Sequence, residues 1–569
     1  MATLRRIFVG TSLLVFFVFF AIIFSGQKGQ IEFNFIPRKV HELRQSVMFW
    51  KQSVNQGEEE NESGEEDGKS GSALENLRAE LESIQNFYVD DEILGGEASG
   101  VFDFNNVASM AAGPKTKACS RAPHLHEILF SNTYWQMLRV IEKNTTGMMY
   151  LYSANADGRG TGKKIRVVTM IDDAFRKANF TVWCNLWSGN NSFISTTNAT
   201  FKNIWPWGQS GAYHPILVTC HLDDIDEFDA EVDNSDGFEW PASVSIVYQK
   251  CQQATNQLKV VNKDERVGDF GVCFKWLDFS EVDLSRRIIE MVELLRVLGV
   301  SGIHFPYMAA HPNVDKVLKY YEDEDHPIVH LKPFSLPGPY SNLPHLRHLL
   351  LRRNNNVKLR SELIPYVACF LENMYRYKYI AIIDIDEVVL PTANSTFTNY
   401  PELFEELEKM NTNVTHYSFC FDMKLFLDRM QRTNGTLVAD LHEIRPELFN
   451  DPDPQLPYVM NKVYFDKAYL CNSGRHTNVK CFHNTESVLL VHNHSPSACL
   501  EGVTSCSKRI HRDIAYTHHH KDTYSYCATN ATIDPPELLR DPFGFDDSVR
   551  RFQEEVIQRR DPILETLGL

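Results

Sequence analysis

Apolar and polar positions follow three rhythms along the chain. From Ile7 to Phe24 the run IFVGTSLLVFFVFFAIIF carries no charged residue. Read as one helix it rises about 27 Å, enough to cross the hydrocarbon of a bilayer. Arg5 and Arg6 precede it, and no matching basic cluster follows. That asymmetry predicts a single transmembrane signal-anchor over 7–24, a cytosolic tail over 1–6, and a type II orientation with all later residues lumenal. Ser25-Gly26 leaves a cleaved signal peptide as the alternative. The next segment, 25–115, reads as a stem, because Gln56 to Ser72 (QGEEENESGEEDGKSGS) is acidic, rich in Gly and Ser, and nearly free of apolar residues. Such a stretch cannot offset its ordering entropy by burial.

A second rhythm, short β-type runs between turn residues, occupies 116–265. Examples are KIRVVTMI from Lys163, NFTVWCNLW from Asn179, HPILVTCHL from His214 and ASVSIVY from Ala242. The spacing predicts a small antiparallel sandwich, a β-rich accessory module. From 266 to 535 strands and amphipathic helices alternate. GVCFKWL is followed by a helix over Asp283 to Leu298, closed by Gly299, and then by the strand GIHFPYM. HPNVDKVLKYYEDE carries a second helix with Asn313 as its N-cap, before the strand PIVHLKPF. Repeated β-α-β units predict an α/β fold with a parallel sheet, whose ligands bind at the carboxyl ends of the strands. The last segment, 536–569, reads as helical.

With 569 residues the chain has room for two or three domains. Its formal charge of −17 argues against a nucleic-acid partner, since phosphate binding relies on clustered Lys and Arg. All 12 cysteines lie beyond the apolar span, from Cys119 to Cys527, as expected in an oxidising compartment. Cys184 and Cys220, in two neighbouring strand runs, are candidates for a bridge. Asn-x-Ser/Thr acceptors recur at Asn61, Asn144, Asn179, Asn190, Asn198, Asn394, Asn413, Asn434 and Asn530. Cysteines and acceptors together predict a glycosylated chain facing the secretory lumen.

The sharpest chemical signal is YKYIAIIDIDEVVLP, Tyr377 to Pro391. Apolar residues Tyr379 to Ile383 form a buried strand, and acidic residues begin where it stops. On an extended backbone Asp384 and Asp386 point to one side. Two carboxylates there repel unless a cation neutralises them. A hard divalent ion, Mn²⁺ or Mg²⁺, suits oxygen ligands and bridges the diphosphate of a nucleotide-sugar. The bland alternative is an acidic loop at a strand end. In RDIAYTHHHKD, over His518-His519-His520, an imidazole is the candidate third ligand, against the alternative of a polar surface run. His492 and His494, in SVLLVHNHSP, follow another strand-like run and are candidates for the same pocket.

WLDFSEVDLSRRIIEMVELLRVLGVSGIHF, IPYVACFLENMYRYKYIAIIDIDEVVLP, VKCFHNTESVLLVHNHSP and IAYTHHHKD, in this order over about Phe270 to Asp522, resemble glycosyltransferase family 92. The resemblance implies a GT-A type nucleotide-sugar-binding fold, a UDP-sugar co-substrate and an Asp-x-Asp metal site. It also implies inverting transfer by a β-galactosyltransferase-like enzyme using UDP-galactose. Asp384 and Asp386 match the family's metal motif, with Glu387 beside them. The family's His-Tyr-Arg reads His519-His520-Lys521 here, which retains His519 as a metal-ligand candidate. Lys462, in MNKVYFDK, matches a family lysine and is a donor-diphosphate candidate; Asp384, Glu387 and His492 complete the donor-binding set.

The expectation is therefore a Golgi hexosyltransferase acting on glycoprotein or glycolipid glycans, with Mn²⁺ or Mg²⁺ at Asp384, Asp386 and His519. An acceptor hydroxyl loses its proton as it attacks, so a carboxylate base is required; Asp428 and Glu443 are candidates from the stretch after the metal motif. A retaining mechanism is not excluded by the residues, and the oligomeric state is open, a homodimer included. The rival from another class is a membrane-anchored glycan-binding or adhesion protein with an inactive transferase-like domain. A glycosidase fits less well, because carboxylates two residues apart on one strand end do not flank a glycosidic bond.

Overall fold

The computed structural model describes residues 119–142, 145–178, 180–206, 213–222, 239–262, 265–410, 417–433, 436–437, 462–466, 479–521, 543–545 and 548–569. At 425–433, 436–437, 462–466, 521, 543–545 and 550 the description is of backbone alone. The apolar segment Ile7 to Phe24 and the stem lie outside these residues. Among the described residues no helix is long and apolar enough to cross a membrane.

The strand-like rhythm of 116–265 becomes one nine-stranded sheet. Its strands are β1 (Phe130–Asn132), β2 (Trp135–Glu142), β3 (Thr145–Asp157), β4 (Lys164–Asp172), β5 (Trp183–Trp187), β6 (Phe193–Asn203), β7 (Tyr213–His221), β8 (Ser243–Val247) and β9 (Leu258–Val261). Neighbours pair antiparallel, in the order β1-β2-β3-β4-β7-β6-β5-β8-β9. The last strand also pairs with β3, in parallel through Ala154 and Val260, so the sheet folds back on itself around Val167, Leu186, Val218 and Ile246. The expected sandwich is thus a single curled sheet. Cys184 and Cys220 are bridged, as are Cys119–Cys251, Cys273–Cys369, Cys420–Cys481 and Cys499–Cys506. Of the glycan acceptors, Asn190, Asn198 and Asn394 are described, and all three are exposed.

The second sheet starts with β10 (Phe270–Phe274), β11 (Leu277–Phe279), β12 (Gly302–Ala310), β13 (Val329–Pro333) and β14 (Tyr379–Ile383). These are parallel, as the β-α-β pattern predicts. The rest is antiparallel or mixed: β15 (Glu387–Pro391), β16 (Ser418–Thr433), β17 (Thr436–Leu437), β18 (Lys462–Asp466), β19 (Val479–Asn484), β22 (Ser507–Arg509), β23 (Ala515–Lys521) and β24 (Phe543–Phe545), with β20 (Val488–Leu490) and β21 (Ala498–Cys499) as a separate ribbon. The pairing is uniformly parallel only up to β14, where regular strand–helix alternation ends; β14 pairs antiparallel with β19, and beyond it β16 pairs parallel with β22 and β23 but antiparallel with β18 and β19.

After α1 (Asp173–Ala178) in the first sheet come α2 (Ser285–Val297), α3 (Pro312–Glu322), α4 (Pro344–Arg353), α5 (Asn355–Ser361), α6 (Leu363–Asn373), α7 (Tyr400–Lys409) and α8 (Gln553–Leu567). Helix α2 buries Ile288, Ile289, Val292 and Leu295, and Gly299 follows at φ +92°, the left-handed end its position predicts. The N-cap of α3 is His311, whose ring accepts from the Asn313 amide; Asn313 lies inside the helix rather than capping it. Gly271 and Gly302 stand opposite each other in β10 and β12, and a Cβ on either would strike the Tyr377 ring.

Helices α2, α3, α7 and α8 share one apolar core with β10, β12 and β14. On the other side lies α6, buried along its whole length, as its apolar sequence requires. Its Tyr366, Val367 and Phe370 join a core that also holds Trp135, Tyr152, Val168 and Met170 of the first sheet. The β-rich segment thus forms part of the packing that supports the second sheet. Polar contacts reinforce the joint. Trp135 Nε1 donates to Ser335 O at 2.8 Å, and buried Asp157 accepts from Arg159 and from Arg166, which also reaches Glu501 at 3.0 Å.

Burial alone would raise the Asp157 carboxyl, but the Arg159 and Arg166 guanidiniums hold it down at about 2. Because its folded value is depressed, its contribution is complete above the ordinary carboxylate value of 3.8 and is lost as pH falls towards 2. Asp157→Asn is expected to lower stability at neutral pH by about 2 kcal/mol and to flatten the acid limb below pH ~4. Equal denaturation midpoints for parent and variant at neutral pH would contradict this.

Candidate active site

Where β14 ends, the chain turns. The Glu387 amide donates to Asp384 O at 2.9 Å, closing a four-residue turn over Asp384 to Glu387. The acidic motif is thus a tight turn leading into β15 rather than an extended strand end. Asp384 and Asp386 remain partly exposed, at 25% and 22% of their side chains, while Glu387 is 1% exposed. The turn starts β15, which pairs antiparallel with β23, placing Glu387 opposite His519. The His520 amide donates to Asp386 O at 2.8 Å and ties the turn to that strand.

Strand alternation then sorts the three histidines. His519 faces the turn: its Nε2 lies 3.4 Å from Asp386 Oδ2, and its Nδ1 lies 3.3 Å from Glu387 Oε1 and 3.0 Å from Met423 Sδ. His518 and His520 take the other face of β23 and are fully buried. His518 stacks on Tyr516 and approaches Ser548 Oγ at 3.3 Å, and burial followed by the Lys424 charge pushes its imidazolium well below the usual range. The HHH run is therefore a buried strand and no surface patch.

Lys480, on β19, completes the cluster from the neighbouring strand. Its side chain is wholly enclosed, with Nζ 2.6 Å from Glu387 Oε2 and 3.8 Å from Asp384 Oδ2; it donates to Asn493 Oδ1 at 2.5 Å. Burial would lower this ammonium, but the Glu387 and Asp384 carboxylates outweigh it and hold it above the usual lysine range. The converse applies at Asp384, where burial would raise the carboxyl and Lys480, Lys275 and His519 hold it well below normal. Asp384 also accepts from Tyr366 on α6 at 3.2 Å, and its amide donates to Glu387 Oε2 at 2.9 Å.

Glu387 therefore stands behind the two aspartates, gripping Lys480, His519 and the Asp384 amide, with no surface left for a donor. Half-buried His492 sits near Lys480; burial, then that charge, pushes its imidazolium down to about 4, so it is neutral at physiological pH. His494 Nδ1 lies 3.2 Å from Val479 O. Lys462 and Asp428 belong to β18 and β16, where only backbone is described, and Glu443 lies outside the described residues. Tyr366, Lys480 and Lys275 are the members that sequence reasoning passed over. The one signal for Lys480 was a charge near the start of a strand-like run, VKCF.

Among the described residues no group of three or more His, Cys, Asp and Glu is placed to hold a metal by itself. The Asp386–His519 pair nevertheless suits a small hard cation. Two donors bonding one ion at about 2.1 Å must stand roughly 3 Å apart, and such ions commonly take one or two protein carboxylates and complete their shell with substrate phosphates and water. Glu387 at Nδ1 orients the ring so that Nε2 faces Asp386.

A parallel sheet whose strand β14 ends in two aspartates, with one histidine and an enclosed lysine brought up by β23 and β19, defines a mixed α/β protein with a candidate ligand site at a strand end. Residues 268–561 match glycosyltransferase family 92, and the chain belongs to that family. No curated protein matches it. The match begins just before β10 and takes in the whole cluster, while the first sheet precedes it. The chain is thus a glycosyltransferase, whose chemistry requires a sugar donor and an acceptor.

Proposed function

We propose that the chain is a metal-dependent, inverting hexosyltransferase of GT-A type, which moves galactose from UDP-galactose onto glycoprotein or glycolipid glycans. In this reading the apolar segment Ile7 to Phe24 holds it in the Golgi membrane with the catalytic residues lumenal. The observation that carries the metal site is the pair Asp386 Oδ2 and His519 Nε2, 3.4 Å apart beside the β14 end. Resemblance to the family's characterised members supports inversion, the UDP-sugar and galactose. The exposed acceptors Asn190, Asn198 and Asn394, with the disulfides, support the lumenal placement.

Asp386 and His519 would hold Mn²⁺ or Mg²⁺, with Asp384 alongside. The ion, when bound, compensates the charge developing on the departing diphosphate. The chain's own part is preorganisation. Glu387 fixes the His519 ring, Lys480 pairs with Glu387 and holds Asp384 as a carboxylate, and the Tyr366 hydroxyl orients Asp384. A carboxylate from the stretch after the motif, Asp428 or Glu443, takes the acceptor's proton in this scheme.

Full-length protein extracted in detergent from carbonate-washed membranes is expected to release UDP from UDP-galactose in preference to other UDP-sugars. Chelation should stop the release and Mn²⁺ should restore it. In the same membranes a glycosidase that removes N-glycans should lower the apparent mass of the chain. No release with any donor would refute the enzyme reading in favour of a glycan-binding protein; unchanged mass would refute the lumenal one.

A further inference from the structure

The carboxyl edge of the parallel strands carries a cation that the acidic motif does not account for. Strands β10 and β14 run in register with Phe274 beside Ile383. The next residue of each, Lys275 and Asp384, therefore leaves the sheet side by side, at the end where a parallel sheet binds its ligands. Lys275 Nζ is 2.5 Å from Glu362 Oε2, at the start of α6, and the Glu362 side chain is 2% exposed. A buried carboxylate thus seats the ammonium from behind, while 21% of the Lys275 side chain stays open to solvent.

This exposure separates the two lysines whose charges bear on Asp384. Lys480 has no exposed surface and is committed to Glu387, Asp384 and Asn493. It cannot reach a ligand. Lys275 can, and it flanks an edge where Asp384, Asp386, Glu387 and Glu362 would otherwise repel an anion.

We propose that Lys275 binds the diphosphate of the nucleotide-sugar donor directly, sharing it with the cation held at Asp386 and His519. The inference rests on the transferase reading above. It assigns the diphosphate contact to an ammonium, which meets phosphate oxygens as a point charge with rotatable donors. Glu362 is the positioning residue: it aims the lysine and touches no substrate.

The test is titration of the full-length protein with UDP and with uridine, in the presence of Mn²⁺. Lys275→Met strands a buried carboxylate, so the double variant Lys275→Met/Glu362→Gln, which removes both charges, is measured beside it. In both, UDP affinity should fall about tenfold or more, while uridine affinity stays at the parent value. Lys275→Arg, which keeps the charge, should retain most of the preference for UDP. A double variant with the parent's full preference for UDP over uridine would show that Lys275 serves only as the partner of Glu362, and equal loss of both ligands would show a purely structural role; either overturns the proposal. If the parent binds neither ligand, the transferase reading itself falls and the inference with it.

Discussion

Asp386→Asn should fold and melt like the parent yet transfer sugar on the order of 10²–10³ more slowly. The backbone carbonyl of Asp386, which accepts from the His520 amide, is untouched by the change. The carboxylate is partly exposed and faces His519 Nε2, so losing its charge leaves no buried group stranded. What is lost is one negative ligand for the proposed cation and, through it, compensation of the diphosphate charge. His519→Ala should also slow transfer, because it removes the other half of the pair. Asp325→Asn, at an exposed position after α3, is the control and should match the parent. The readouts are UDP release at saturating donor and the Mn²⁺ concentration for half-maximal rate, which should rise for both site variants. Full Mn²⁺-dependent transfer by Asp386→Asn would show that the metal lies elsewhere.

Lys480→Met should act on folding as much as on chemistry. The lysine is wholly enclosed, and its ammonium is the 2.6 Å partner of a Glu387 carboxylate that is itself 1% exposed. Removing one member of a buried pair leaves the other charge uncompensated, at a typical cost of about 3–5 kcal/mol. The stranded Glu387 also holds the Asp384 amide and His519, so the turn should loosen and transfer should fall with stability. Lys480→Met/Glu387→Gln removes both charges and should recover a large part of the lost stability, though not the rate. Denaturant unfolding of the three proteins measures this. A loss below about 1 kcal/mol for Lys480→Met would place the pair among weakly coupled surface charges, contrary to its burial.

Much of this architecture was legible in the residues themselves. The buried strand Tyr379–Ile383 appears with the bounds its apolar run implies, because a strand enclosed on both faces needs an unbroken apolar sequence. Helix α2 and its glycine end were equally plain, since both depend on a 3.6-residue repeat and one left-handed residue. The acidic motif could be found for the same reason: a core strand that ends abruptly in carboxylates is a local pattern.

The remaining decisions were made between segments far apart in sequence. Whether Asp384 and Asp386 sit on an extended end or a turn was settled by the amide-to-carbonyl bond from Glu387 to Asp384 and by the pairing of β15 with β23. That pairing also selected His519 over its two neighbours, since one step of register would have turned it to the opposite face. Lys480, Tyr366 and Lys275 join the cluster only because β19, α6 and β10 are packed around β14. A sequence records burial along its own elements through their periodicity; which charges face each other across a sheet is fixed by strand order and register, and these arise when the faces of distant elements are buried together.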